Sequence, residues 1–307
     1  MFIFNPSHEL ALAVNTVQYT PPRMVQQMED DLQAFPSLFA DCNDEGVSVW
    51  GWNKSIKAAL LRRGIEESLM PTDAAIDEIR HLASREYAVT YRNLLQSEFP
   101  CKEFVDNEMC IVTTNGSSDG CNISSGGTFI TKTLWSSSGR GIRIVRDGRL
   151  PRPPYLLDRY YNKKIDFAME FCVTPDKVEY LGLSVFEASA DGKYEFNYVL
   201  SQSSLLNLIL AKGISPSIIE HLSHSHLSLL SRQLIGRYSG IVGIDMMVVE
   251  GGKIHPCVEL NFRMNMGVVA MRLFERYGCT HTLSIGNPHG FQAVLNKDRF
   301  YIQFSGN

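Results

Sequence analysis

The spacing of apolar and polar residues in the first hundred positions predicts alternating strands and helices. A short apolar run at residues 1–4 and a second run at residues 47–52 have the length of strands. Apolar residues at helical spacing predict one helix that starts at Ser7 and further helices over residues 24–35, 54–63 and 72–97. This alternation is typical of a small α/β domain.

A longer series of strands follows Phe99-Pro100. Residues 114–128 are rich in Gly, Ser and Asn and predict a surface loop, and Pro216 predicts the start of a long helix that reaches residue 238. We expect its histidines (His221, His224 and His226) to be solvated rather than to bind metal. The remaining apolar runs predict strands over residues 104–113, 129–133, 142–145, 166–173, 178–187, 241–249 and 254–262, and a helix over 268–278.

Polar residues interrupt the last two predicted strands. Asp245 lies in the first of them, Gly251-Gly252 supplies a tight turn, and Glu259 and Asn261 lie in the second. Because Glu259 and Asn261 are separated by one residue, they face the same side of a strand, and Arg263 extends that face. Carboxylates in such apolar runs are costly unless something compensates them. Two carboxylates and an amide oxygen form a ligand set suited to Mg²⁺, which takes the rest of its shell from water and phosphates.

A loop rich in serine and glycine lies between two other strands. Residues 136–141 read S-S-S-G-R-G, and Lys132 lies in the strand that precedes them. Small residues at the tip of a strand–loop–strand unit can direct backbone N–H groups at phosphates. The segment is not a Walker A loop, because its lysine precedes the glycines and a strand follows them. Lys132 is also compatible with an edge-strand lysine that binds no ligand.

Charge is distributed unevenly, although the net charge of the 307-residue chain is only −4. Residues 129–164 contain nine basic residues against Asp147 and Asp158. A local basic excess in a nearly neutral protein favours a polyphosphate ligand over a nucleic-acid surface, with a solvated basic face as the alternative. No apolar run approaches bilayer length. We therefore expect neither a nucleic-acid nor a membrane partner.

The cysteines and the N-terminus indicate the cellular compartment in which we expect the protein. The seven cysteines are scattered and show no zinc-binding spacing, which suggests a reducing environment. The N-terminus lacks the basic segment of a signal peptide, and His8 and Glu9 interrupt its apolar stretch. These features predict a cytoplasmic protein. His8 and Glu9 themselves are equally compatible with ligand contacts and with the start of a helix, where Glu9 suits the dipole.

The order of these segments resembles the ATP-grasp superfamily. Five features follow one another in the order of that family: Lys132, the S-S-S-G-R-G loop, M-E-F-C-V at 169–173, G-I-D at 243–245 and E-L-N-F-R at 259–263. The resemblance implies an α/β (α+β) ATP-grasp fold in which two α+β subdomains grip ATP and a small α/β pre-ATP-grasp domain precedes them. The implied domains are residues 1–98, 99–175 and 176–307.

The resemblance also implies how ATP is bound. Lys132 would contact the phosphates, and Arg85 occupies the place where the family usually has another lysine. Asp245, Glu259 and Asn261 would hold one or two Mg²⁺ ions, or Mn²⁺, while Arg263 stabilises the transferring phosphoryl group. The loop that closes over the β and γ phosphates would comprise Ser136, Ser137, Ser138, Gly139, Arg140 and Gly141, with Arg140 at its tip.

The adenosine contacts implied by the resemblance lie on two later strands. Glu170 would accept a hydrogen bond from the adenine amino group, and the backbone of Phe171 and Val173 would complete the adenine edge. Lys177 or Glu179 would reach the ribose. Without a ligand, Glu170 is instead a solvent-facing strand residue, and Glu259 with Arg263 is a surface ion pair.

The implied activity is an ATP- and Mg²⁺-dependent ligation. A carboxylate of a small molecule or peptide is activated as an acyl phosphate and joined to an amine or a thiol. A small-molecule kinase of the same fold and a non-catalytic nucleotide-binding protein are the alternatives. The sequence does not indicate the oligomeric state or the identity of either substrate.

Overall fold

The computed structural model of the chain describes residues 1–40, 46–117, 127–136, 139, 141–146, 149–189, 192–278, 280–285, 293–297 and 300–306. Its first part contains a two-stranded parallel sheet in which Phe2 pairs with Ser48. Asn53 caps the start of a helix, because its side chain accepts hydrogen bonds from the backbone N–H groups of Ser55 and Ile56. The elements are β1 (Phe2–Ile3), α1 (His8–Val14), α2 (Arg23–Asp31), β2 (Ser48–Val49), α3 (Lys54–Arg62), α4 (Asp73–Leu82) and α5 (Arg85–Glu98), with 3₁₀ turns at Phe35–Leu38 and Glu67–Leu69.

A five-stranded antiparallel sheet follows, which we call the small sheet. Its strands are β3 (Cys110–Thr113), β4 (Gly116–Ser117), β5 (Phe129–Lys132), β6 (Arg143–Val145) and β7 (Tyr155–Arg159), in the spatial order β4-β3-β7-β5-β6. The hairpin of β5 and β6 pairs Phe129 with Val145, so the predicted strand–loop–strand unit is present.

An eight-stranded antiparallel sheet, the large sheet, contains most of the remaining strands. Its spatial order is β12-β11-β8-β9-β10-β13-β15-β14. The elements are β8 (Lys163–Val173), β9 (Val178–Ala188), β10 (Tyr194–Val199), α6 (Gln202–Leu210), α7 (Pro216–Leu234), β11 (Gly240–Val249), a 3₁₀ turn at Glu250–Gly252, β12 (Lys253–Asn261), α8 (Met266–Tyr277), β13 (His281–Ile285), β14 (Ala293–Lys297) and β15 (Phe300–Gly306). The chain passes from the small to the large sheet at residues 160–162, which is earlier than the predicted domain boundary at residue 175.

The two faces of the large sheet differ in chemistry. On one face Phe167, Phe171 and Ile244 are fully buried in a core with Tyr91 of α5 and Leu229 of α7. Because strand side chains alternate, the opposite face carries the residues between them. That face includes Asp166, Glu170 and Asp245, and it is the face that lines the main cavity.

A second core joins the N-terminal part of the chain to α8. The rings of Phe4 and Trp50 meet edge to face with centroids 5.0 Å apart, and Phe35 contacts Phe4 at 5.3 Å. Val268 and Leu273 of α8 are buried in the same cluster. The N-terminal part is therefore anchored on the helix that follows Arg263.

The structure differs from the predicted elements at several places. The expected helix over 72–97 is two helices, because Ser84 caps the second one by accepting a hydrogen bond from the backbone N–H of Tyr87. The strands β4, β7, β10 and β13 to β15 and the helix α6 were not predicted. The expectation of solvated histidines is wrong for His226, which is fully buried and lies 2.9 Å from the hydroxyl of Tyr91.

Two further observations concern the cysteines and the helices. Cys110 takes part in a disulfide, whereas Cys101, Cys172 and Cys257 are free thiols. The disulfide does not follow from the scattered cysteine pattern, which suggests a reducing environment. No helix in the described ranges is both long enough and apolar enough to cross a bilayer.

Candidate active site

Neighbouring strands of the large sheet bring the predicted metal ligands together. Asp245 of β11 is directly opposite Glu259 of β12, and Gly243 is opposite Asn261. Since residues two apart on a strand share a face, Asp245, Glu259 and Asn261 lie on one side of the sheet, and all three line the cavity.

The electrostatics of this face favour a cation. Burial, and then repulsion by Glu259 and Glu170, raises the pKa of Asp245 well above its usual range. Glu259 has one cationic partner, because Nη2 of Arg85 lies 2.9 Å from its Oε1. Across the described ranges no group of three or more His, Cys, Asp or Glu side chains is arranged to hold a metal ion. The donor set here has two carboxylates and the Asn261 amide oxygen, which is chemically suited to Mg²⁺.

Lys132 approaches the same cavity from the small sheet. Its side chain is buried at 5% exposure, and it makes no hydrogen bond or ion pair with any residue in the described part of the chain. Burial lowers the pKa of Lys132, opposed mainly by the charge of Asp158. An unpaired buried ammonium group that lines a cavity is suited to an anionic ligand.

Arg85 is the first residue of α5 and links the two sheets. Its Nη1 donates to the carbonyl oxygen of Thr133 at 2.6 Å and to Oγ of Ser136 at 3.1 Å, while Nη2 binds Glu259. The backbone N–H of Arg85 also donates to the carbonyl of Leu134. Arg85 therefore holds the start of the serine-rich loop against the carboxylates, using the fork geometry that a lysine lacks.

The serine-rich loop is described in part. Ser136 is buried against Arg85, and Gly139 lines the cavity. Gly139 and Gly141 have φ angles of 74° and 72°, which L side chains rarely adopt. Ser137, Ser138 and Arg140 lie outside the described residues.

A buried polar network beside Lys132 is not evident from the sequence. The carboxylate of Asp158 on β7 lies 2.9 Å from Nε2 of His255 on β12, and Nη1 of Arg92 on α5 lies 2.9 Å from the same nitrogen. Burial opposes the charge of Asp158, but His255 and Arg92 hold the pKa of its carboxyl well below the usual range. In the sequence, the one sign of this network is Asp158 at the end of the apolar run Y-L-L-D. Its partners are 66 and 97 residues away and cannot be identified from the sequence.

Glu170 lies in the floor of the cavity, away from any solvent-facing position. It is 1% exposed, and its two carboxylate oxygens accept hydrogen bonds from Oγ of Ser184 at 2.8 Å and Nδ2 of Asn265 at 2.7 Å. Burial raises the pKa of Glu170 to about 7, although both hydrogen bonds oppose the rise. It lies one strand from Gly243, next to the predicted metal ligands.

The structure does not offer Phe171 and Val173 to an adenine edge. Both residues lie in the centre of the large sheet, where β8 pairs with β9 on one side and with β11 on the other. Their side chains are buried in the core on the face opposite the cavity. Glu179 is exposed and paired with Lys177, and neither residue lines the cavity. These positions argue against the adenosine contacts expected on β8 and β9.

Arg263 is engaged by an N-terminal residue. Its Nε forms an ion pair with Glu9, Nη1 donates to the carbonyl of Met264 at 3.0 Å, and Nη2 donates to Oδ1 of Asn261 at 3.1 Å. Burial opposes the charge of Arg263, but Glu9 overcomes this and raises the pKa of the guanidinium. The sequence predicts Arg263 as a phosphoryl contact, and the structure adds a partner 254 residues away.

Glu9 and His8 are both buried at the start of α1. The ring of His8 packs on the backbone of Gly51, where a Cβ atom would approach the ring within 3.0 Å. Burial lowers the pKa of His8 to about 4, so this imidazole is neutral at physiological pH. The sequence leaves open whether His8 and Glu9 contact a ligand or only begin a helix. In the structure Glu9 contacts Arg263 at the site, whereas His8 packs against Gly51.

One cavity of about 460 Å³ is lined by Lys132, Asp158, Glu170, Asp245, Glu259, Asn261 and Arg263 together with residues of the N-terminal part. Its volume lies within the range of about 300–1,000 Å³ that is usual for small-molecule sites. Residues 159–161, at the passage between the sheets, line it together with Ile130, Ile142, Asp166, Phe186 and Tyr194.

The fold matches solved structures. The crystal structure of an Archaeoglobus fulgidus protein, described as a "putative ATP-grasp superfamily protein", superimposes with a TM-score of 0.52 at 11% identity, covering 100% of this chain and 98% of that one. The structure of glycinamide-RNase-transformylase T from Mycobacterium tuberculosis gives a TM-score of 0.50 at 10% identity, covering 100% of this chain and 95% of that one. The sequence matches no protein-family model and none of the curated proteins. The chain therefore has the ATP-grasp fold, as its motifs predict.

Proposed function

We propose that the protein is an ATP- and Mg²⁺-dependent ligase that activates a carboxylate as an acyl phosphate and joins it to an amine or a thiol. The observation that carries the proposal is one cavity lined by Lys132 and by the facing carboxylates of Asp245 and Glu259. Lys132 is buried and has no hydrogen-bond or ion-pair partner within the described ranges. The lysine requires an anion and the carboxylates require a cation. A magnesium–nucleotide complex supplies both.

In this proposal the phosphates lie between Lys132 and the metal ligands. Asp245, Glu259 and Asn261 would hold Mg²⁺, which when bound would neutralise charge on the transferring phosphoryl group. Arg85 keeps Glu259 oriented through its ion pair. Gly139 lines the cavity and would direct its backbone N–H at the phosphates, and the predicted loop also comprises Ser136, Ser137, Ser138, Arg140 and Gly141.

The nucleoside is assigned to the passage between the sheets. Residues 160–162 belong to neither sheet, and Tyr160 and Tyr161 line the cavity beside apolar side chains of both sheets. Flat apolar walls suit a purine. Asp166 is the closest acid along β8 and is paired with Lys163, so we assign the ribose to this pair in place of Lys177 and Glu179.

The reaction then needs positioning more than a protein nucleophile. A substrate carboxylate oxygen attacks the γ-phosphorus, the bond to the β-phosphate oxygen breaks, and ADP leaves. The amine or thiol attacks the acyl carbon, and inorganic phosphate leaves. Lys132 and Arg263 stabilise the developing negative charge, because both cations are buried, where electrostatic interactions are stronger than in water.

The test is ADP release across a library of carboxylic acids in the presence of hydroxylamine, which traps acyl phosphates as hydroxamates. We expect acid-dependent ADP and hydroxamate from the wild type, and a loss of at least about 100-fold in Lys132→Met and Asp245→Asn. Lys164→Met is the matched control, since Lys164 is exposed and pairs with Glu250 at the surface.

Two outcomes would overturn the proposal. A stable phosphorylated product without hydroxamate would identify a kinase. Tight ATP binding without ADP release with any acid would identify a non-catalytic nucleotide-binding protein.

A further inference from the structure

Part of the cavity lining is apolar and is not used by the nucleotide in the proposal above. We call it the acceptor compartment. Its walls come from the N-terminal part of the chain, from the start of α8 and from the end of β13, and they include Phe4, Met28, Trp50, Met266 and Ile285. Phe4 and Trp50 are fixed by the aromatic cluster, while Met28, Met266 and Ile285 are half-buried at its edge.

Glu170 forms the polar end of this compartment. Two glycines make room for its carboxylate: a Cβ on Gly243 would lie 2.7 Å from Oε2, and one on Gly267 would come within 3.0 Å of Oε1. Asn265 and Ser184 fix the two oxygens by hydrogen bonds. The carboxylate is thus held in one orientation by the start of α8 and by two strands.

In the described part of the chain, Glu170 forms no ion pair. Its two hydrogen-bond partners are a neutral amide and a hydroxyl, and Arg263, whose charge lowers the pKa of Glu170, is already paired with Glu9. A buried carboxylate with only neutral donors is costly. The pKa of about 7 is consistent with this deficit and with a group that accepts a proton near neutrality.

We propose that the acceptor compartment binds the amine substrate, with its amino group at Glu170 and an apolar body against Phe4, Met28 and Trp50. This inference rests on the proposed ligase function and narrows it. A carboxylate attracts an ammonium group and repels a thiolate, so the compartment favours an amine over a thiol.

The role of Glu170 in the second step follows from this placement. The substrate ammonium gives up one proton to Glu170 on binding, and the free amine attacks the acyl carbon. A C–N bond forms, the C–O bond to phosphate breaks, and the second proton leaves with inorganic phosphate. Glu170 takes no part in forming the acyl phosphate.

The first experiment measures binding by titration calorimetry with phenethylamine and with 2-phenylethanol, which has the same apolar body without the amine. We expect the wild type to bind phenethylamine at least about tenfold more tightly than the alcohol, and Glu170→Gln to lose that preference. Glu187→Gln is the matched control, because this acid is on the adjacent strand outside the cavity and contacts Tyr198. Equal binding of amine and alcohol by the wild type would overturn the proposal.

A second variant keeps Glu170 intact in case its replacement disturbs the fold. Met28→Ser removes part of the apolar wall on α2, and we expect several-fold weaker binding of phenethylamine with the amine–alcohol preference retained. Unchanged affinity in this variant would remove the apolar wall from the proposal.

The ligase and acceptor proposals fail separately. If the ligase proposal is wrong, no acid gives a hydroxamate with the wild type, whatever the amine titrations show. If only the acceptor proposal is wrong, the wild type forms hydroxamates and Glu170→Gln joins the activated acid to phenethylamine at the wild-type rate. The inferred role predicts that Glu170→Gln slows the reaction with phenethylamine at least about tenfold more than it slows ADP formation with hydroxylamine.

Discussion

Single residues at this site stand out because their chemistry conflicts with their surroundings. Asp245, Glu259 and Lys132 could be selected from the sequence, since each interrupts an apolar strand. Glu170 could be selected for the same reason. Its role could not be predicted, because the role depends on Ser184 and Asn265, which bind Glu170 from other elements. Polarity within an apolar run identifies a residue as unusual, whereas its function depends on which partners the fold supplies.

Lys132 provides a prediction at this scale. Because burial lowers the pKa of its ammonium group, the folded protein carries an uncompensated cost when no anion is bound. We expect Lys132→Met without nucleotide to be at least as stable as the wild type toward urea, and Mg²⁺–ATP to stabilise only the wild type. Lys164→Met should leave both measurements unchanged. Strong destabilisation of ligand-free Lys132→Met would mean that Lys132 has a structural partner.

Helices and strands were predictable where the spacing of apolar residues agreed with the turn and capping residues at their ends. The pairing of β11 with β12 follows from two apolar runs and a glycine turn, and Gly251 and Gly252 have the positive φ angles that such a turn requires. The break before α5 was missed because the apolar stripe continues through it, and only the cap at Ser84 interrupts the helix. That break matters, since it makes Arg85 the first residue of a helix, facing Glu259.

The contact between α5 and α7 leads to a prediction about pH. His226 is buried against Tyr91, and burial lowers its pKa to about 3, from about 6.5 in an unfolded chain. Between pH 6.5 and pH 3 the unfolded chain therefore binds a proton at His226 that the folded protein does not bind. The contribution of the neutral imidazole to the free energy of unfolding is complete above pH 6.5 and is lost as the pH falls toward 3. We expect His226→Gln to be less sensitive to acid, by on the order of 2–3 kcal/mol between pH 7 and pH 4.5.

The measurement is the free energy of urea unfolding at a series of pH values. His224→Gln is the control, since His224 is exposed on the same helix and its replacement should not alter the slope. Parallel pH curves for the wild type and His226→Gln would contradict the assignment of a neutral, buried imidazole.

At the scale of the whole molecule, the site depends on contacts between distant parts of the chain. The ordered motifs were sufficient to predict the ATP-grasp fold, because each motif belongs to one strand or one loop. They were not sufficient to place Glu9 on Arg263, or Asp158 on His255, since these contacts depend on how separate layers pack. The acceptor compartment has the same origin, with walls from α2, α8 and β13 that no local pattern relates.

The ion pair of Glu9 and Arg263 therefore tests whether the N-terminal part is a component of the site. Both side chains are mostly buried, with exposures of 8% and 14%. Removing one partner leaves a buried charge uncompensated, which typically costs about 3–5 kcal/mol, whereas removing both costs less than the sum. We expect a double-mutant cycle of Glu9→Gln and Arg263→Gln in urea unfolding to give a coupling above about 1 kcal/mol.

The exposed pair of Lys164 and Glu250 is the reference for this cycle, because its side chains are 47% and 59% exposed and solvent screens their interaction. Its coupling should remain below about 1 kcal/mol. If the two cycles give the same coupling, the N-terminal part does not hold Arg263. If they differ as expected, Glu9→Gln should also slow hydroxamate formation while leaving nucleotide binding intact, because Glu9 orients a cation that acts on the transferring group and does not contact the nucleoside.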